Sequence, residues 1–390
     1  MVDLSEFESI SPYTDQEAVE AIGKLAEHPL LDEFSRTFFP DQESGFLKGL
    51  LKNIKSIDEF QILVMSKFVE WVLERTVHNF SYDGISNIDP NKKFLALSNH
   101  RDIIFDPAIT QLVLYRNGIQ MTEIAVGDNL ISSPTIEYLL RSNRMIKVVR
   151  GITARELYLS SQLLSKYIRL NITEQRSSIW LAQRQGRTKN GYDTTEQGLL
   201  KMLDMSGSTD FQKNFEELNI IPMSISYEYE PCDILKAREV VISQTQKYVK
   251  AEGEDLNSII VGIKQPKGNV HLNIGMPLTS EEIELAAKCD KNERYQVIRH
   301  AVDVRIIEGY KLWKTNYIAY DIVNQSSKYA DFYTPHEVEQ FIGYMNHQLG
   351  TVEPEIDRDE LRKVFLDIYA NPVVTKELLE KEKQTGENFL

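Results

Sequence analysis

Residues 95–107 read LALSNHRDIIFDP. A short apolar run stops at Asn99-His100-Arg101, and carboxylates follow at Asp102 and Asp106, the second directly before Pro107. FLALSN (94–99) is uniformly apolar and short, which reads as a buried strand. PAITQLVLYRNG (107–118) continues with helical patterning and closes on Asn117-Gly118, a helix stop. A strand that passes through a polar turn into a helix is the unit of an α/β sheet, and its turn lies where open sheets build sites.

Working outward, FSYDG (80–84), MTEIAV (121–126), RMIKVV (144–149), SSIWLA (177–182) and IIPMSISY (220–227) read as further strands. Helical patterns such as RELYLSSQLLSKYIRL (155–170) lie between them, so the expected class is α/β with a largely parallel or mixed sheet flanked by helices. SIIVGI (258–263) and NVHLNIG (269–275) flank Gln265-Pro266-Lys267-Gly268 and suggest a hairpin closing the sheet. Before the sheet, Thr14 with Glu17 forms a capping box and residues 57–77 carry apolar residues at helical spacing. After it, 297–323 reads as one long amphipathic helix. The expected organisation is a helical domain over 1–79, an α/β domain over 80–280 and a helical extension packed on it over 281–390.

Of the 390 residues, 42% are hydrophobic and 26% charged, enough to bury a large core. The net charge of −14 argues against a general nucleic-acid partner, since nothing global offsets phosphate repulsion. Cys232 and Cys289 form no CxxC pair, which suits a reducing compartment without structural zinc. MVDLSEFESISPY at the start lacks the basic-then-apolar order of a signal peptide. No window approaches the ~20 apolar residues of a spanning helix.

A histidine after a strand end can take a proton from a hydroxyl, and a carboxylate on its other nitrogen fixes the tautomer. The plainer reading is a solvated turn whose aspartates cap the next helix. His-Arg-Asp also matches the catalytic loop of protein kinases, but the position of their metal-binding asparagine is Pro107 here, and neither a Gly-rich loop nor a DFG follows.

Four blocks in order, YDGISNIDPNKKFLALSNHRDIIFDP (82–107), RMIKVVRG (144–151), WLAQRQGRTKNG (180–191) and IIPMSISYEYEP (220–231), resemble the glycerolipid acyltransferase family, which includes glycerol-3-phosphate and lysophosphatidic acid acyltransferases. The resemblance covers about residues 80–280 and implies that family's α/β fold. It implies that His100 activates an acceptor hydroxyl for attack on an acyl thioester. The family's spacing would put the acid at Phe105. This chain offers Asp106, followed by the expected Pro107, and Asp102, where the family has serine or threonine. Asp106 is preferred because the Asp-Pro junction marks the helix start, and because adjacent residues of an extended chain point apart.

The resemblance further implies that the acceptor's phosphate is held by Arg150, with Arg144 nearby, and by Gly186 and Arg187, flanked by Arg184 and Lys189. Arginine binds two phosphate oxygens at once, and glycine lets backbone N–H groups approach. Gln185 stands where a glutamate is common. Residues 141–189 hold eleven basic and two acidic side chains, a surplus of nine in an acidic chain. Backbone N–H groups of 184–188 are the natural oxyanion donors. The implied substrates are an acyl-CoA or acyl-carrier-protein donor and a phosphate-bearing glycerolipid acceptor, with no further cofactor and no metal. The implied location is cytoplasmic, peripheral on the inner face of the membrane. A different lyso-lipid acceptor, thioester hydrolysis, and lipid binding without catalysis are the alternatives.

Overall fold

Residues 95–98 form the middle strand of a seven-stranded sheet in a computed structural model that describes residues 4–40, 42–150 and 153–387. Ahead of the sheet lie α1 (Asp15–Leu25), α2 (Leu31–Phe38), α3 (Phe46–Asn53), α4 (Ile57–Phe60) and α5 (Ser66–Thr76), the last two joined by a π-helical turn. The chain then alternates: β1 (Val77–Asp83), β2 (Leu95–Ser98), α6 (Phe105–Arg116), β3 (Glu123–Gly127), α7 (Pro134–Arg141), β4 (Met145–Val148), α8 (Ala154–Thr173) and β5 (Ile179–Ala182). Next come α9 (Gln197–Asp204), α10 (Phe211–Glu216), β6 (Ile220–Tyr227), α11 (Asp233–Thr245), α12 (Glu254–Lys264) and β7 (Gly268–Ile274). Helices α13 (Ser280–Ala287), α14 (Glu293–Gly309), α15 (Lys314–Val323), α16 (Pro335–Gly350) and α17 (Arg358–Thr385) complete the chain.

The strand order is β1-β7-β6-β2-β5-β3-β4. Strands β2 to β6 run parallel, β7 is antiparallel to β6, and β1 is parallel to β7. The fold is therefore mixed α/β with a mostly parallel sheet flanked by helices. Alternation along the strands feeds two cores. Leu95, Leu97, Ile179 and Leu181 pack with α8, α9 and α14, whereas Ala96, Trp180, Met223, Ile225 and Tyr227 pack with α5 and α6.

Three expectations change. SIIVGI is not a strand but most of α12, and β7 pairs with β6 and β1 instead of closing a hairpin. A short apolar run fits either period. Here the acids Glu254 and Asp255 favour a helix start, and the buried residues Ser258 and Gly262 lie four apart on one helical face. Residues 297–323 break into α14 and α15 at Gly309, where a side chain would lie 2.0 Å from Asn273 Oδ1. The cores also cross the boundaries at 79 and 280. Phe7, Ile283, Ile298 and Val302 belong to the sheet core, while Phe341, Phe365 and Tyr369 gather on Ile234 and Ala237 of α11.

Candidate active site

The turn after β2 is built by side chains that replace backbone partners. Asn99 Nδ2 donates to Ile225 O (3.0 Å) and its Oδ1 accepts from Ile225 N (2.8 Å), so the β2–β6 ladder continues through a side chain while the main chain leaves the sheet. Thr188 N holds the far side of the turn by donating to His100 O at 2.8 Å.

His100 follows on the face shared by Ala96 and Trp180, with the indole edge-on at 5.9 Å. Its Nδ1 lies 2.9 Å from Asp106 Oδ2, and the imidazole remains partly exposed. Four donors converge on the buried Asp106 carboxylate: the imidazole, Arg101 N (2.6 Å), Asp102 N (2.8 Å) and the Tyr227 hydroxyl (2.6 Å). Burial and then the Asp106 carboxylate hold the Tyr227 phenol well above its ordinary pKa, so it acts as a donor. Asp102 turns the other way. Its Oδ1 caps the start of α6 through Ile104 N (2.9 Å) and Phe105 N (2.7 Å). The carboxylate near the imidazole is therefore Asp106, and Asp102 takes the capping role.

Behind the turn lies a closed set of buried charges. Arg101 pairs with Asp193 (2.6 Å) and Glu230 (3.3 Å), donates to Gly191 O (3.1 Å), and lies over the Tyr310 ring at 4.9 Å. Lys236 reaches Glu230 and donates to Arg101 O at 2.7 Å. Burial opposes the Arg101 charge, but Asp193, Tyr310 and Glu230 outweigh it and hold its pKa well above the usual value. Two cations balance two anions, and losing one member would strand a buried charge.

The basic residues divide. Arg184 lies two residues past Ala182 and His100 two past Ser98, the last paired residues of the adjacent strands β5 and β2. Among the described residues, Arg184 Nε is buried without a hydrogen-bond partner, as is Nη1 of Arg187, three residues on. Arg187 faces the Cys232 thiol, which burial pushes up and Arg187 pulls down, and it acts on Asp255 of α12. Gly186 between them is left-handed (φ +75°). Among the described residues, the N–H groups of Gln185, Gly186 and Arg187 make no hydrogen bond, but Thr188 N is taken by His100 O. Arg150 is exposed at the end of β4, three strands from β2 or about 14 Å at sheet spacing. Gly127 lets its guanidinium cross the end of β3, since a side chain there would meet Nη2 at 2.9 Å.

Arg144 and Lys189 do not join this group. Arg144 precedes β4, at the opposite end of the sheet, and binds Asp58 (2.9 Å) and Gln61 (2.8 Å) of the N-terminal helices. Lys189 pairs with Glu239 of α11. Arg141, Lys166 and Arg169 likewise pair with Glu137, Glu6 and Glu217. Much of the linear surplus is thus neutralised in three dimensions.

The sequence reading missed Tyr227 and Trp180. Both line the apolar sheet face that carries Ala96, and alternation along IIPMSISY places Tyr227 with Ile225 and Met223. A cleft of about 640 Å³ opens elsewhere, lined by Asp83, His271, Tyr310, Lys311 and Lys376 among others. Among the described residues, no three His, Cys, Asp or Glu are grouped to hold a metal ion.

No protein-family model matches the chain, and no curated protein does. Among solved structures it is similar to the 1-acyl-sn-glycerophosphate (LPA) acyltransferase PlsC from Thermotoga maritima, at 11% identity over 75% of this chain and 95% of that one, with a TM-score of 0.38. At that distance the chemistry has to be argued from the side chains of this chain.

Proposed function

We propose that the protein is an O-acyltransferase moving a fatty acyl group from an acyl thioester, of coenzyme A or a carrier protein, to a hydroxyl of a phosphate-bearing glycerolipid acceptor. The observation that carries the reading is the His100–Asp106 pair at the C-terminal end of β2, 2.9 Å apart, together with Arg184 Nε and Arg187 Nη1, buried and without partners among the described residues, in the loop that follows the neighbouring strand β5. A base next to an anion-binding pair is what acyl transfer to a phosphorylated alcohol requires.

His100 Nε2 takes the proton of the acceptor hydroxyl as its oxygen attacks the thioester carbonyl. Asp106 accepts the Nδ1 proton's hydrogen bond and stabilises the imidazolium. The N–H groups of 185–187, which make no hydrogen bond among the described residues, are the donors for the tetrahedral oxyanion. Collapse breaks the C–S bond, the thiolate leaves, and the proton returns from His100 to sulfur. Arg184, Arg187 and, from the edge, Arg150 receive the phosphate.

Steady-state kinetics with acceptor varied at saturating donor tests this. Arg187→Ala should raise the acceptor KM about ten- to a hundredfold, the worth of one charge-assisted contact, with lysine restoring only part. A raised donor KM with unchanged acceptor KM would assign the arginines to coenzyme A or the carrier and contradict the proposed acceptor site.

A further inference from the structure

The chain leaves β5 after Ala182 and comes back at Glu196, whose N–H donates to Gln183 O at 2.9 Å, so the residues between form a closed loop. Its first half carries Arg184, Arg187 and the N–H groups of 185–187. Its tip is held from outside, where Asn371 Nδ2 of α17 donates to Asn190 O at 2.6 Å. Its second half returns through Asp193, which is buried. The Asp193 carboxylate is shared between two segments. Oδ1 accepts from Thr188 Oγ1 at 2.9 Å, within the loop. Oδ2 accepts from Asn99 Nδ2 at 3.0 Å and from Arg101 Nη2 at 2.6 Å, the residues on either side of His100 in the chain.

One carboxylate therefore grips the base's segment from both sides and the loop through Thr188, whose own N–H donates to His100 O at 2.8 Å. Thr188, Asn99 and Arg101 are fully buried, so no bulk water is at hand to replace a bond that is lost. A carboxylate suits the place because it accepts from a hydroxyl, an amide and a guanidinium and brings no donor of its own. Asparagine would bring one, and would leave Arg101 and Lys236 facing Glu230 alone. Charge balance by itself would need only Arg101. The bond from Thr188 is the part that ties the loop.

We propose that Asp193 is a positioning residue for the transfer reaction. Acting through Thr188, it fixes the 184–188 loop against the His100 turn and so sets the spacing between the base and the groups that receive the oxyanion and the phosphate. It acts on the loop and the turn, not on the substrate. The inference rests on the acyl-transfer reading for its purpose, whereas the clamp itself is measured without turnover.

Thr188→Val tests the proposal, since it keeps the shape and the N–H and removes only the hydroxyl that reaches Asp193. It breaks the clamp from the loop side and leaves the buried charges paired, which Asp193→Asn does not. Its kcat should fall about ten- to a hundredfold, the effect of a small misplacement, and its acceptor KM should rise several-fold as the arginines shift. Thr188→Ser should restore both. Thr195→Val removes a matched bond at the foot of the same loop, from Thr195 Oγ1 to Asp303 Oδ1 (2.6 Å). It should lower the urea midpoint to a similar extent and leave kcat and acceptor KM near those of the wild type. Without substrate, the amide at position 188 should exchange its hydrogen about tenfold faster in Thr188→Val, and at the wild-type rate in Thr188→Ser and Thr195→Val. Wild-type kinetics or unchanged exchange in Thr188→Val would overturn the proposal. So would a lower kcat at unchanged acceptor KM, the mark of a smaller folded fraction, or equal kinetic losses in Thr195→Val. Exchange that follows this pattern in a protein that makes no ester would sink the acyltransferase reading and leave the clamp standing.

Discussion

His100 and His271 each lie within reach of an aspartate, one at a strand end and one inside a strand. His271 sits in β7 opposite Ser81, its Nδ1 2.8 Å from Ser81 Oγ and its Nε2 3.5 Å from Asp83, a carboxylate whose side chain is 60% exposed. Both nitrogens are occupied, and the serine is held in the ladder of an edge strand. His100 has one nitrogen fixed by a buried carboxylate that three further donors immobilise, and the other makes no hydrogen bond among the described residues. A Ser-His-Asp inventory alone would favour His271. What separates a satisfied imidazole from a poised one is the rigidity of its acid and the freedom of its second nitrogen.

The comparison breaks most visibly in activity. His100→Ala should lower the acyl-transfer rate by about 10²–10⁴, the usual worth of general-base catalysis, while His271→Ala stays within a small factor of wild type. Equal losses, or the reverse order, would move the chemistry to the β1–β7 edge. Asp106→Asn should cost at least about tenfold more activity than Asp102→Asn. The latter should show mainly as about 1 kcal/mol of stability in urea titration, the worth of a helix cap. Tyr227→Phe sharpens the contrast further. It leaves packing intact but removes one donor from Asp106, and kcat should fall about tenfold with acceptor KM unchanged. A variant that alters KM alone would show that Tyr227 acts on the substrate.

The smallest effect concerns His271 itself. Burial lowers its pKa below the ordinary 6.5, with Asp83 opposing. The unfolded chain therefore takes up this proton first. The contribution is fully present above 6.5 and is lost as pH falls through the lower folded value. Urea midpoints should decline through this window for the wild type and less steeply for His271→Gln. An identical slope would show that Asp83 compensates the burial.

Strands were legible where runs were short, apolar and bounded by turns, as at LALSN, SSIWLA and IIPMSISY. Patterning failed where one residue decides between periods. SIIVGI fits a buried strand, yet Ser258 and Gly262 four apart make it a helix. Spacing left two aspartates open, and only the fold distinguishes the carboxylate facing the imidazole from the one capping α6. Charge was the least legible property. A linear surplus of nine between 141 and 189 says nothing about Asp58, Glu217 or Glu239, which reach Arg144, Arg169 and Lys189 from distant parts of the chain.

The most direct test of the central claim is product analysis with the wild type. The protein is incubated with a palmitoyl thioester, with and without glycerol 3-phosphate or lysophosphatidate, and ester is resolved from free acid. The account predicts acceptor-dependent ester, one free thiol per ester formed, and loss of both in His100→Ala. Free palmitate at the same rate with or without acceptor would make the site a hydrolase, and no thioester cleavage at all would leave His100 without the role argued for it.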